Sequence, residues 1–154
     1  MTPRMNIFQT ASESTKALVA VEAVIEKSGL ERGLVELVRL RASQINGCAF
    51  CIHMHVKDAV KNGENEMRLH LLDAWRHSPA FSDRERAALG WTEAVTNIAE
   101  TGAPDADYEL LQEQFNETEI AHLTLAIGMI NLWNRVQVGL RALHPRVEPA
   151  AVAA

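Results

Sequence analysis

The stretch ELVRLRASQINGCAFCIHMH, residues 36–55, decides how this chain of 154 residues is read. Ahead of Asn46-Gly47, Leu37, Val38 and Ile45 continue an apolar stripe begun at Leu34, with the three- and four-residue spacing of one helix face. Beyond it, Cys48, Cys51, Ile52, His55, Val56 and Ala59 keep that spacing, so the inner face of a second helix carries both thiols of the chain and one imidazole. Asn46 and Gly47 tolerate the left-handed backbone that ends helices. The stretch therefore reads as helix, turn, helix.

Outward from this hairpin the same periodicity continues and strand signals are nearly absent. The expected fold class is all-α, a single domain over residues 1–154 with about six or seven helices. The first helix is expected to have Ser12 or Ser14 as its N-cap and Gly29 as its stop, the second to run from about Glu31 to Ile45, and the third from about Cys48 to Asn62-Gly63. ENEMRLHLLDAWRH follows, ended by Pro79, and then a helix opened by Ser82 and Asp83 and closed by Gly102 and Pro104. A short helix over DADYELLQEQF precedes a long one from about Glu117 to Leu143. Leu123, Leu125, Ile127, Ile130, Leu132, Trp133, Val136 and Leu140 make that last helix apolar over most of its circumference, as expected of a central element or an oligomer contact. Asn131 and Asn134 set among them require partners. The core is expected over about residues 15–143, with HPRVEPAAVAA, residues 144–154, as a frayed tail.

With 47% hydrophobic and 23% charged residues the composition is that of an ordinary globular protein. Such a length suffices to bury roughly 70% of the unfolded surface, without a disulfide or metal to staple it. The formal charge of −5 and the absence of a dense basic stripe point away from nucleic acid. Glu22 interrupts the apolar run ALVAVEAVI, so no secretion signal is read, and no apolar run approaches the roughly 20 residues of a membrane span. A cytoplasmic protein is expected. Its two cysteines then favour metal or redox chemistry over a structural disulfide.

Cys48 lies at the first turn of its helix, where unpaired N–H groups and the helix dipole favour thiolate. Cys51 is one turn on, close enough to close a small disulfide ring, and His55, four residues further, can accept or relay the Cys51 proton. If the two helices fold back about Gly47, Glu36 lies roughly 16 Å from the turn and His55 roughly 12 Å, near enough to approach each other. A carboxylate there would hold the imidazole's tautomer and raise its basicity. The plainer reading of Glu36 is a surface ion pair with Arg32 or Arg39, and of His55 a core histidine. His53, Lys57 and Lys61 recur every four residues as a solvated stripe, and Trp75, Trp91 and Trp133 read as core anchors. Zinc held by Cys48, Cys51 and His55 is the sharper competitor, but no further cysteine exists to complete a structural site.

A Glu twelve residues before a CxxC and a His four residues after it, as in Glu36, Cys48, Cys51 and His55, resembles the core motif of alkyl hydroperoxidase AhpD-like proteins in the carboxymuconolactone decarboxylase superfamily. SDRERAALGWTEAVT and LTLAIGMINLWNR resemble the downstream helices of that family, so the likeness spans about residues 15–143. The resemblance implies an all-helical fold assembled as a homo-oligomer, a trimer or hexamer, and a peroxide-reducing dithiol that needs no cofactor. It implies a hydroperoxide as substrate and a thiol or dithiol as reductant. It also implies the roles: Glu36 and His55 relay a proton from Cys51, which attacks the peroxide and becomes a sulfenic acid, and Cys48 resolves it to a disulfide. The helix dipole instead makes Cys48 the easier thiolate, and the relay is followed because His55 neighbours Cys51.

The chain departs from well-known members of the family at Phe50, which stands where they carry a His before the second Cys. With Met54 one turn on, Phe50 offers an apolar flank for packing, or for an alkyl group or a neighbouring subunit. Two other functions fit the motif, a general thiol–disulfide oxidoreductase and a non-catalytic oligomer whose CxxC binds zinc or senses oxidants. A decarboxylase is the weaker expectation, since lactone decarboxylation has no evident need for paired thiols.

Overall fold

One helix, α3 (Arg32–Ile45), is buried on nearly every side, and the others arrange themselves around it. The computed structural model describes residues 2–147. Among these the chain is all-helical, with nine α-helices, one 3-10 segment and no strand. Ahead of α3 come α1 (Ile7–Thr10) and α2 (Ser12–Glu26). It is followed by α4 (Ala49–Lys61), α5 (Glu66–Leu71), the 3-10 segment Leu72–His77, α6 (Asp83–Thr96), α7 (Ile98–Thr101), α8 (Asp105–Gln114) and α9 (Glu117–Gly139). No helix among the described residues is long and apolar enough to cross a membrane.

The stripes of α3 face two cores. Leu34 and Val38 join Ala88, Trp91, Leu111, Leu123 and Ile127 from α6, α8 and α9. Leu37 and Leu40 join Ala59, Leu69, Leu72, Trp75, Phe81 and Leu89 on the other side. Each fully buried leucine contributes about 1.5–3 kcal/mol by leaving water. Such packing on several faces fixes the rotation of α3, and with it the direction of every polar side chain it carries.

Between α3 and α4 the chain reverses as the sequence predicts. Asn46 caps α3 and Gly47 takes φ 63°, a left-handed conformation that costs a glycine nothing. The Cys48 N–H bonds the Ser43 carbonyl, which closes the turn. A buried amide network then ties this turn to α9. Asn46 donates to Asn131 and Asn134 at 2.9 and 3.0 Å, Asn134 to Ser43 at 3.0 Å, and Asn131 to Thr96 at 3.0 Å.

Several expected boundaries are corrected. The cap of α2 is Ala11, not Ser12 or Ser14, and Thr15 bonds back to the Ala11 carbonyl. ENEMRLHLLDAWRH is not one helix, because Ala74 leaves helical geometry inside the 3-10 segment. The helix opened by Ser82 stops at Thr96, where the Asn97 side chain donates to the Glu93 carbonyl and a separate turn begins. The last helix ends at Gly139, short of Leu143, and Arg141 has φ 56°. Within one chain its apolar circumference is buried on one side, at Leu123, Ile127 and Ile130, whereas Leu125 is 54% exposed. These breaks and the unforeseen α1 raise the helix number above six or seven. Of the expected tail, residues 144–147 are described and carry no helix, and 148–154 lie outside the described residues.

Candidate active site

At the start of α4, Cys48 is the cap residue and its Sγ accepts the Cys51 N–H at 3.4 Å. Cys48 and Cys51 form a disulfide, with Cα atoms 5.3 Å apart. Each is 1% exposed, and they cluster with Ala42 and Ile130 beneath Phe50 and Trp133. Met54, the other half of the expected apolar flank, is 39% exposed.

One turn beyond Cys51, His55 points inward and is 4% exposed. Its Nδ1 lies 2.8 Å from Glu36 Oε2 across the hairpin. A carboxylate only accepts, so Nδ1 donates this bond, and in the neutral imidazole Nε2 keeps a lone pair. That Nε2 is buried and has no hydrogen-bond partner. Burial pushes the Glu36 carboxyl up, but the His55 hydrogen bond, the charge His55 carries when protonated, and the Arg39 guanidinium outweigh it and hold the carboxyl below its ordinary value. Glu36 is therefore a carboxylate that fixes the imidazole with its free nitrogen turned to the interior.

The surface ion pair expected for Glu36 is corrected in part. Arg39 does reach Glu36 Oε1, at 3.3 Å, but both side chains are buried. Arg32 is exposed and makes no ion pair with Glu36. His53 is half-buried rather than solvated, its ring stacked on His144 at 5.2 Å. Trp75 and Trp91 are core residues, as read, but Trp133 lies half-buried against the cysteine cluster.

Sequence reasoning missed the groups behind Glu36. Arg39 also bonds Glu22 Oε2 at 2.6 Å, and Glu22 Oε1 accepts the Trp133 indole N–H at 3.0 Å. The one available signal was the acid that breaks the apolar run ALVAVEAVI. Beyond Glu36, towards the C-terminal end of α4, a cavity of about 340 Å³ is lined by Glu36, Arg32, Gly33, Ala59 and Asn62. Among the described residues no three His, Cys, Asp or Glu side chains are grouped so as to hold a metal.

The chain matches the model of the carboxymuconolactone decarboxylase family over residues 13–94, which include Glu36, Cys48, Cys51 and His55. A crystal structure from Agrobacterium tumefaciens, of a protein of unknown function described as a candidate AhpD antioxidant-defence protein, superposes with a TM-score of 0.92. It shares 48% identity over 95% of this chain and 100% of that one. The uncharacterized protein YdfG of Bacillus subtilis is 38% identical over 91% of this chain and 95% of its own length. An uncharacterized peroxidase-related protein from Silicibacter shares the fold, with a TM-score of 0.76 at 24% identity over 86% of this chain and 70% of that one.

Proposed function

This chain belongs to the carboxymuconolactone decarboxylase family as an AhpD-like member, and from that membership we propose that it is a thiol-dependent peroxidase, reducing alkyl hydroperoxides through Cys48 and Cys51 in cytoplasmic antioxidant defence. The observation that carries the reading is His55 Nε2, a buried lone pair without a donor, one turn from Cys51, on a ring anchored by Glu36. Reducing the disulfide returns a proton to Cys51, and that thiol is the donor Nε2 lacks.

The reaction follows from these positions. Cys51 passes its proton to His55, and the imidazolium is stabilised by the Glu36 carboxylate. The Cys51 thiolate attacks the distal peroxide oxygen; an S–O bond forms as the O–O bond breaks, and the departing alkoxide takes the proton from His55 to leave as the alcohol. Cys51 is now a sulfenic acid. Cys48, whose sulfur faces the Cys51 N–H at the helix start, attacks that sulfur, and its proton leaves with the displaced hydroxide as water. An external thiol or dithiol reopens the disulfide by exchange and is itself oxidised. One hydroperoxide and two thiols thus become an alcohol, a water and a disulfide.

Phe50 and Trp133 over the cysteines support an organic rather than a purely polar peroxide. Val19, Val24 and Leu125, exposed on α2 and α9, support assembly as a homo-oligomer, whose size sedimentation velocity would measure. The decisive experiment is the intact mass of reduced protein before and after one equivalent of an organic hydroperoxide, with remaining thiols blocked. Loss of two hydrogens and of both blockable thiols is expected. Two free thiols after exposure would rule the peroxidase out.

A further inference from the structure

Three charged side chains stand in a row behind the imidazole. The Arg39 side chain, 9% exposed, lies between the carboxylates of Glu22 and Glu36. Its two contacts are unequal, 2.6 Å to Glu22 Oε2 and 3.3 Å to Glu36 Oε1. Glu22 belongs to α2 and is anchored through its other oxygen by the Trp133 indole. The guanidinium is thus drawn towards Glu22 and touches Glu36 with one nitrogen only. A guanidinium free of Glu22 would close on Glu36 with two parallel N–H bonds, the preferred geometry of the pair. Both Glu36 oxygens would then be engaged, and the pull on the His55 N–H would weaken.

We propose that Glu22 is a positioning residue of the relay: by holding Arg39 off bidentate contact with Glu36, it keeps Glu36 Oε2 for His55 and makes His55 ready to take the Cys51 proton. The inference rests on the peroxidase relay described above. Charge balance points the same way. Glu22, Arg39 and Glu36 together carry one negative charge, which the imidazolium formed when Cys51 ionises cancels. The other charged groups facing this row are accounted for. Glu26 and Arg32 line the cavity beside Glu36 and Arg39 and are exposed, and Glu64 across the second cavity is paired with Arg68 at 3.1 Å. On α9, Arg135 bonds Asn131.

The test is the rate of Cys51 alkylation by iodoacetamide against pH, read by peptide mass, on the reduced full-length protein. The variants are Glu36→Gln, Glu22→Gln and the double variant Glu22→Gln/Arg39→Met, with circular dichroism to confirm folding. Glu36→Gln and Glu22→Gln should both move the midpoint of reactivity up, Glu22→Gln by about half to one pH unit. The double variant should move it back, because Glu36 again has no guanidinium to claim it. A purely structural role for Glu22 predicts no such recovery on removing a second group. A midpoint that shifts in Glu36→Gln but not in Glu22→Gln, or a Glu22→Gln shift that the double variant leaves in place, overturns the role of Glu22 while the relay stands. No shift in Glu36→Gln overturns the relay and this inference with it. Should Glu22→Gln fail to fold, Trp133→Phe removes the indole N–H that anchors Glu22 while keeping an aromatic ring beside the cysteines. It should shift the midpoint the same way by less, and an unmoved midpoint would count as failure.

Discussion

Glu36 and His55, nineteen residues apart in sequence, meet at 2.8 Å inside the α3–α4 hairpin, both almost closed to solvent. The contact consequently couples the fold of the hairpin to the protonation of the imidazole.

Replacing Glu36 by Gln keeps the volume and removes the charge. Peroxide-driven oxidation of the dithiol should slow by about 10²-fold, the usual scale for losing a positioned proton relay. Stability should fall by about 1–3 kcal/mol, because Arg39 and His55 lose a charged partner in a buried place. Stopped-flow oxidation and urea unfolding measure the two effects. Wild-type oxidation rates in the variant would remove Glu36 from the mechanism.

The two cysteines should behave differently when changed singly. Cys48→Ser leaves the relay intact and removes the resolving thiol, so one equivalent of hydroperoxide should add a single oxygen to Cys51, trapped by dimedone. Cys51→Ser leaves Cys48 without His55 and should react far more slowly. The reverse pattern would make Cys48 the attacking sulfur, as the helix dipole alone suggests.

Asn134 is fully buried, donates to Ser43 and accepts from Asn46. Asn134→Ala removes one bond from each partner and leaves a cavity in the packed turn, and should cost about 2–3 kcal/mol, lowering Tm by about 5–10 °C in a chain of this size. Differential scanning calorimetry reads this directly. A Tm within a degree of wild type would mean that the network contributes little to holding the turn.

Glu93 accepts from the Trp75 indole and from Arg41 at 2.8 Å each, and from Arg76. Burial pushes its carboxyl up, yet these three bonds and the Arg41 charge hold it below the ordinary value of 4.5. A depressed folded value means that the stabilisation is complete above about pH 4.5 and is lost as pH falls through the folded value. The stability gap between wild type and Glu93→Gln should therefore be widest near neutrality and narrow in acid. Urea melts from pH 7 to pH 3 test the sign, and a gap independent of pH would contradict it.

What the sequence made legible was whatever rested on local spacing. Cys48, Cys51 and His55 share one face of one helix, and Gly47 sets the fold-back that brings Glu36 opposite His55; both follow from 3.6 residues per turn and a glycine. The Arg39 contact to Glu22 and the Glu22 contact to Trp133 span 17 and 111 residues, and no periodicity announces a pairing at such range. Arg39 looked like a surface partner because the carboxylate it bonds most closely, Glu22, lies on α2 and not on its own helix. The breaks at Ala74 and Asn97 were hidden for a related reason: the residues around them have helical propensity, and packing and a single side-chain bond override it.

The bridge between Cys48 and Cys51 closes a ring of only four residues at one helix end. Chain-entropy reasoning assigns so small a loop about 2 kcal/mol, against about 4.7 kcal/mol for a loop of a hundred. The two leucine-rich clusters that bury α3 lie outside that ring, and of α3 only Ala42 shares a cluster with the cysteines, so the main packed framework does not depend on the bond. Electron transfer is thereby separated from folding cooperativity. In the proposed catalytic cycle, opening and closing this bond would therefore leave the protein far from its own unfolding transition.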